Sequence, residues 1–159
     1  MSAVVTTSWI KARADEIRRI EKEKKAERER QTIAANELKA KTEPFWKELV
    51  AILDESVKEF NQEFPETDRR IDQFEKSSAT GLTIRRSAYP STIVKVGLNT
   101  AGTSVQYSIS TTPRKGANTS EQQSNLLIGI VAGEVGYLEG GVSTHEDLVR
   151  RLLDPFFEF

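Results

Sequence analysis

The chain has 159 residues, the length of one ordinary domain or of a smaller domain with an extension. Charged residues make up 30% of it and the net charge is -1, so the molecule as a whole does not attract nucleic acid or anionic membranes. The absence of cysteine excludes disulfides, thiolate chemistry and zinc sites of the cysteine type. Because the chain has neither a signal-peptide pattern nor an apolar run of the roughly 18 residues that a membrane span needs, a cytoplasmic protein is predicted.

The first predicted element is a long charged helix over residues 8–41, rich in Ala, Glu, Lys, Arg and Gln. Its large apolar residues form a heptad-like seam: Ile10, Ile17, Ile20, Ile33 and Leu38. Between Ile20 and Ile33 the seam is polar, whereas a coiled coil needs apolar seam positions over three or four heptads. Two interpretations remain open: a coiled-coil helix that oligomerises or binds a partner, and a solvated single helix.

The stretch from Phe45 to Phe64 is predicted to be the helix on which the domain is built. Pro44 either starts this helix or kinks a longer one, because proline has no amide hydrogen to donate inside a helix. The helix should end before Pro65, and residues 65–80 are expected to form a loop or a short helical turn. Apolar residues recur on one side of the helix at three- and four-residue steps: Phe45, Trp46, Leu49, Val50, Leu53, Val57, Phe60 and Phe64.

From Gly81 the apolar pattern changes to a period of two, which is typical of half-buried strands. A nearly continuous apolar run further along the chain predicts a central strand. The strands predicted in this way cover residues 82–84, 94–98, 105–109, 126–132 and 135–139, with a polar loop over residues 112–124. The sheet is expected to end at Gly140 and Gly141.

After the strands, Ser143 and Glu146 have the spacing of a capping box and predict a C-terminal helix. Three phenylalanines close the chain, Phe156, Phe157 and Phe159, and this tail is expected to pack on the sheet or on a partner. Strands bracketed by helices, without strand–helix alternation, predict an α+β fold. We expect an amphipathic helix on an antiparallel meander of about five strands with a C-terminal helix, divided into a helical extension, residues 1–43, and a domain, residues 44–159.

The sequence carries no recognisable catalytic motif: it has no phosphate-binding glycine loop, no nucleophile elbow and no HExxH pair. His145 is the single histidine, and in the first turn of a helix it is predicted to be exposed rather than catalytic. A non-enzymatic protein without a metal or cofactor is therefore expected.

One asymmetry of charge suggests a binding surface. Residues 77–120 contain no acidic side chain and five basic ones: Arg85, Arg86, Lys95, Arg114 and Lys115. A basic sheet face turned away from the helix could bind an anion or a nucleic-acid backbone. Strands also disfavour acidic residues for conformational reasons, and no aromatic side chain is expected on that face to stack on bases.

The leading hypothesis is a non-enzymatic interaction or assembly protein that acts through its N-terminal helix and sheet surface, with itself or another protein as partner. The first alternative is anion or nucleic-acid binding by the basic sheet face. The second is a small-ligand site between helix and sheet, although the aromatic residues that would line it also fill an ordinary core. Membrane binding is not predicted.

Overall fold

A computed structural model describes the backbone of residues 2–138 and 141–159, and the side chains of residues 8–138 and 141–159. Glu139 and Gly140, at the predicted end of the sheet, lie outside the described residues. The chain divides into two compact units, Met1–Glu37 and Leu38–Phe159, and each is described by itself. The predicted domain division at residue 43 stays a prediction.

The described residues of the first unit all belong to helix α1, which spans Ser2–Glu63. Its charged side chains pair along the helix three or four residues apart at 2.6–3.3 Å: Arg13–Glu16, Asp15–Arg18, Arg19–Glu23 and Glu27–Arg30. These pairs are exposed, so each contributes at most a few tenths of a kcal/mol. None of the described helices is both long enough and apolar enough to cross a membrane.

In the second unit α1 continues through Pro44 without interruption. The ring leaves the carbonyl of Ala40 without its usual amide donor. Two residues earlier Thr42 is buried, and its hydroxyl lies 2.6 Å from the carbonyl oxygen of Leu38 and 3.3 Å from that of Gly102. Gly102 has φ +70°, and a Cβ atom there would approach the Thr42 side chain to 3.4 Å. The turn that contains Gly102 therefore lies directly against the helix.

The sheet is an antiparallel meander of six strands, which confirms the predicted α+β fold with one strand more than expected. The strands follow one another in the sheet as they do along the chain. They are β1 Gln73–Ser78, β2 Gly81–Arg86, β3 Ser91–Leu98, β4 Ser104–Thr112, β5 Ser120–Val131 and β6 Glu134–Tyr137.

Strand β1 lies in a segment that was predicted to be a loop or helical turn. Phe74 is its single large apolar residue, so the segment has no alternating pattern to read. Backbone pairing with β2 forms the strand instead, and it runs from Gln73, opposite Arg85, to Ser78, opposite Gly81. Strand β5 likewise begins at Ser120, inside the predicted loop, because its polar first half pairs with β4.

The core lies between the inner face of the sheet, α1 from Trp46 onward and α2, which spans His145–Leu153. Trp46 also donates from Nε1 to the carbonyl oxygen of Ala79 at 3.1 Å, which fixes the start of the amphipathic stretch. The residues that sequence periodicity places on the inner face are buried as predicted: Leu49, Leu53, Phe60, Leu82, Ile84, Val94, Val96, Val105, Tyr107, Ile109, Leu126 and Ile128.

The C-terminal elements differ in detail from the prediction. The capping box of α2 uses Thr144 as N-cap and Asp147 as N3, one residue later than the predicted pair. A short 3-10 helix, Asp154–Phe157, follows α2. Phe156 is completely buried, whereas Phe157 and Phe159 are 55% and 52% exposed, so packing of these two rings on a partner stays a prediction.

Arg86 is the largest side chain without exposed surface, although it was predicted to belong to a basic surface. Its guanidinium donates to the carbonyl oxygens of Phe156 at 2.7 Å and Glu158 at 2.9 Å. Two further carbonyl oxygens, those of Pro90 at 3.1 Å and Arg69 at 3.3 Å, complete the site. Burial lowers the pKa of Arg86, and nearby carboxylates oppose that change. The side chain therefore joins the end of β2 to the C-terminal tail.

Replacement of Arg86 by Met keeps an unbranched apolar stem but removes every donor. Because several buried carbonyl oxygens lose their partner, we expect the free energy of unfolding to fall by about 3–4 kcal/mol. Urea denaturation monitored by circular dichroism measures the change. The matched control is Arg85→Gln, which alters the exposed neighbour and should change the free energy by less than about 0.5 kcal/mol. Equal effects at the two positions would contradict this assignment.

Candidate functional site

The outer face of the sheet, which is the face turned away from the core, carries rows of polar side chains. The strand register aligns one row across five strands: Glu75, Thr83, Lys95, Ser108 and Gln123. The adjacent row crosses four strands: Gly81, Gly97, Gln106 and Asn125. Side chains directly opposite one another in such a sheet have Cβ atoms about 4.5–5.5 Å apart, so the first row is a contiguous strip of polar groups, whereas the second row has polar side chains at Gln106 and Asn125.

A concave groove of about 670 Å³ follows these rows. The hydroxyl groups of Thr83 and Ser108, the amides of Gln106 and Asn125 and the ammonium of Lys95 line it. Such groups can donate and accept several hydrogen bonds at once. They project from paired strands rather than from loops, which holds their relative positions. The groove is therefore suited to a polar ligand.

The outer face is not basic, even though the segment that forms most of it lacks acidic residues. Arg85 and Lys95 lie on it, but the flanking strands contribute Glu75, opposite Thr83, and Glu121, opposite Ser110. Across β1 to β5, these two positive and two negative charges balance. Sheet register rather than sequence composition decides this, because Glu75 and Glu121 lie outside the acid-free stretch but are aligned with it in the sheet.

The predicted basic residues do not converge. Arg86 is buried and does not lie on the outer face. Arg114 and Lys115 are exposed in the turn between β4 and β5, where the amide of Ala117 donates to the carbonyl oxygen of Arg114 at 3.1 Å. Only Arg85 and Lys95, of the five, share the outer face.

The predicted oligomerisation residues lie on α1. In the first unit Ile10, Ile17 and Ile33 are 51%, 44% and 65% exposed, and Ile20 is partly buried. Trp9, which the sequence analysis did not single out, is 60% exposed beside Ile10. Leu38 belongs to the second unit and is partly buried there.

His145 lies in a second cluster of polar groups, and its side chain is only 11% exposed, so the prediction of an exposed histidine is wrong. Its Nδ1 lies 2.9 Å from the hydroxyl of Tyr137, and its Nε2 lies 3.9 Å from a carboxylate oxygen of Glu48. The ring also packs on Phe45, with centroids 4.3 Å apart. The imidazole therefore joins α2 to β6 and to α1.

The electrostatics of this cluster favour neutral side chains. Burial lowers the pKa of His145, while Glu48 opposes that change. Burial also raises the pKa of Tyr137, with a further increase from Glu48, so the phenol stays protonated at neutral pH. A cavity of about 340 Å³ adjoins the cluster. Two of the hydroxyl residues that line it, Ser143 and Thr144, bond Asp147 in the cap of α2: the hydroxyl of Ser143 donates to the carboxylate, and that of Thr144 accepts from the backbone amide.

Among the described residues, no group of three or more histidine or acidic side chains is placed to hold a metal ion. Comparison with known proteins adds no functional assignment: no family model, curated protein sequence or solved structure matches the chain significantly. Function must therefore be argued from its own surfaces.

The His145 cluster predicts a specific pH dependence. We expect the pKa of the imidazole to lie below 6.5, and proton NMR can follow it directly because the chain has one histidine. The unfolded chain then binds the proton more readily, so stability should decrease as pH falls from 6.5 towards the folded-state pKa. Glu48→Gln removes the opposing negative charge and should lower the pKa further. A pKa at or above 6.5 would contradict this description.

Proposed function

We propose that this protein is a non-enzymatic assembly protein that self-associates through the N-terminal part of α1. The observation that carries the proposal is the exposure of large apolar side chains on a helix that is otherwise strongly charged. Trp9, Ile10 and Ile17 are each between 44% and 60% exposed. Contact with another protein molecule would remove this apolar surface from water, at about 25 cal/mol for each Å².

The arrangement of these side chains supports a short contact rather than an extended coiled coil. Ile10 and Ile17 are seven residues apart and Ile20 follows after three, so all three lie on one side of the helix. The next positions of this heptad register are Lys24, Glu27 and Gln31, which are polar. The apolar face thus extends over about 15 Å, at 1.5 Å per residue, which is less than the three or four heptads of a stable coiled coil.

The double substitution Ile10→Gln with Ile17→Gln tests the proposal in the full chain. Because both side chains are already exposed, the fold should persist, while self-association should weaken at least about tenfold through loss of buried apolar area. Sedimentation equilibrium measures the change in association constant. The matched control, Lys22→Gln with Glu29→Gln, keeps the net charge and alters only polar positions. A wild-type chain that stays monomeric at all concentrations, or variants that associate equally, would rule out the proposal.

A second candidate function is the binding of a polar or anionic ligand in the groove on the outer face of the sheet. The observation in its favour is the pair of polar rows with Lys95 near their middle. Charge balance on that face favours a ligand held mainly by hydrogen bonds over one held by charge alone. Nucleic-acid binding has less support, since the groove offers no exposed aromatic side chain for stacking.

A fluorescent oligothymidylate serves as the anionic probe for this second candidate. If the outer face binds this probe, the double substitution Lys95→Gln with Arg85→Gln should reduce the affinity several-fold. The slope of log affinity against log salt concentration should also become shallower, by the equivalent of about two ionic contacts. The matched control is Arg114→Gln with Lys115→Gln, which removes two exposed charges from the turn between β4 and β5. Fluorescence anisotropy reports binding. A larger loss in the control than in the groove variant would exclude the outer face as the anion-binding surface.

A further inference from the structure

An apolar groove of about 460 Å³ lies in the second unit between the C-terminal part of α1 and α2. Its floor is formed by Phe60, Phe64, Val149, Leu153 and Phe157. The rings of Phe60 and Phe157 meet edge to face, with centroids 5.1 Å apart, so the floor is a packed surface. Phe157 is nevertheless 55% exposed. A large aromatic side chain left open at the bottom of a groove between two helices is typical of a surface that accepts a third helix.

The rim of this groove is acidic. Glu59, Glu63 and Asp154 lie along it and make no ion pair within the described residues. Glu146 also lies on the rim, but it is paired with Arg150 at 2.9 Å. The rim therefore has a net charge of -3, from four acidic side chains and one basic. The ligand that this groove fits is a helix with an apolar face and an excess of positive charge.

The chain itself contains a segment with those properties, at residues 8–24. It carries the apolar face of Ile10, Ile17 and Ile20, of which Ile10 and Ile17 are exposed, and its six basic and four acidic residues give a charge of +2. Arg13 and Lys24 lie on the same side as the isoleucines, since they are four residues from Ile17 and Ile20 respectively. An apolar face of about three helical turns, followed by polar positions, matches a short groove better than a long coiled coil.

We propose that residues 8–24 of one molecule dock in the groove between α1 and α2 of a second molecule. The inference rests on the proposed self-association and names its receptor surface. The isoleucines would cover Phe157, and Arg13 and Lys24 would approach the unpaired carboxylates of Glu59 and Glu63. Because each copy offers both a helix and a groove, two copies can satisfy each other in a closed symmetric dimer.

Charge reversal in the full chain tests the docking directly. Glu59→Lys with Glu63→Lys should weaken self-association about tenfold in low salt, and Arg13→Glu with Lys24→Glu should do the same. The chain with all four substitutions restores opposite charges across the contact and should regain most of the affinity. Phe157→Ser should weaken association without affecting its salt dependence. Sedimentation equilibrium at two salt concentrations gives each association constant.

The matched control for the groove is Glu29→Lys with Glu55→Lys, which makes the same change of charge at exposed positions outside the groove and outside residues 8–24. It should leave the association constant within about twofold of wild type after allowance for net charge. Circular dichroism checks that each variant folds, and Phe157→Ser provides a second groove variant of unchanged charge.

The possible outcomes separate the two proposals. If the Ile10 and Ile17 variant dissociates but neither groove variant does, the groove is not the receptor, and self-association through α1 still stands. The docking proposal also fails if the fourfold charge exchange does not recover affinity. If the isoleucine variant associates like wild type, both proposals fail together.

Discussion

In the second unit, the buried guanidinium of Arg86 joins the end of β2 to the C-terminal tail. Transfer of a charged group into the protein interior costs several kcal/mol unless its donors are satisfied. Arg86 satisfies them with carbonyl oxygens from four separate points of the chain, two of which lie in the last four residues. This bonding fixes the C-terminal tail with Phe156 inside the core and Phe157 at the groove between α1 and α2. The position of the proposed docking site therefore depends on a charge that has no exposed surface.

The two faces of the sheet have different roles in the second unit. Its inner face and the aromatic stripe of α1 form the core, in which Trp46 and Tyr107 are buried. Of the aromatic residues that could line a small-ligand site between helix and sheet, Trp46, Phe60 and Tyr107 are buried, and Phe64 and Tyr137 are partly buried. Three surfaces carry the proposed binding functions: the outer face, the groove between α1 and α2, and the first unit. The outer face offers hydrogen bonding, and the groove offers apolar contact with charge complementarity. The first unit offers exposed apolar side chains on a helix.

Contacts with distant residues, and not neighbours in sequence, decide the environments of His145 and Arg86. From its sequence neighbours, His145 is predicted to be an exposed residue in the first turn of a helix. Arg86 is predicted to be part of a basic patch. Their environments come instead from distant residues: Tyr137 and Glu48 around the imidazole, and Phe156 and Glu158 around the guanidinium. Sequence spacing contains no information about such contacts, because they form only when separate elements pack. The candidate groove between α1 and α2 was missed for the same reason.

The sequence by itself determined the α+β class, the amphipathic helix after Pro44 and the inward residues of β2, β3 and β4, because apolar periodicity reports directly which side of an element faces away from water. Only the tertiary structure decided that β1 is a strand, since backbone pairing with β2 rather than side-chain pattern stabilises it. It also decided that Glu75 and Glu121 neutralise the outer face, because register sets which residues become neighbours across strands. Charge counted along the chain is local, whereas the charge of a surface is a property of the fold.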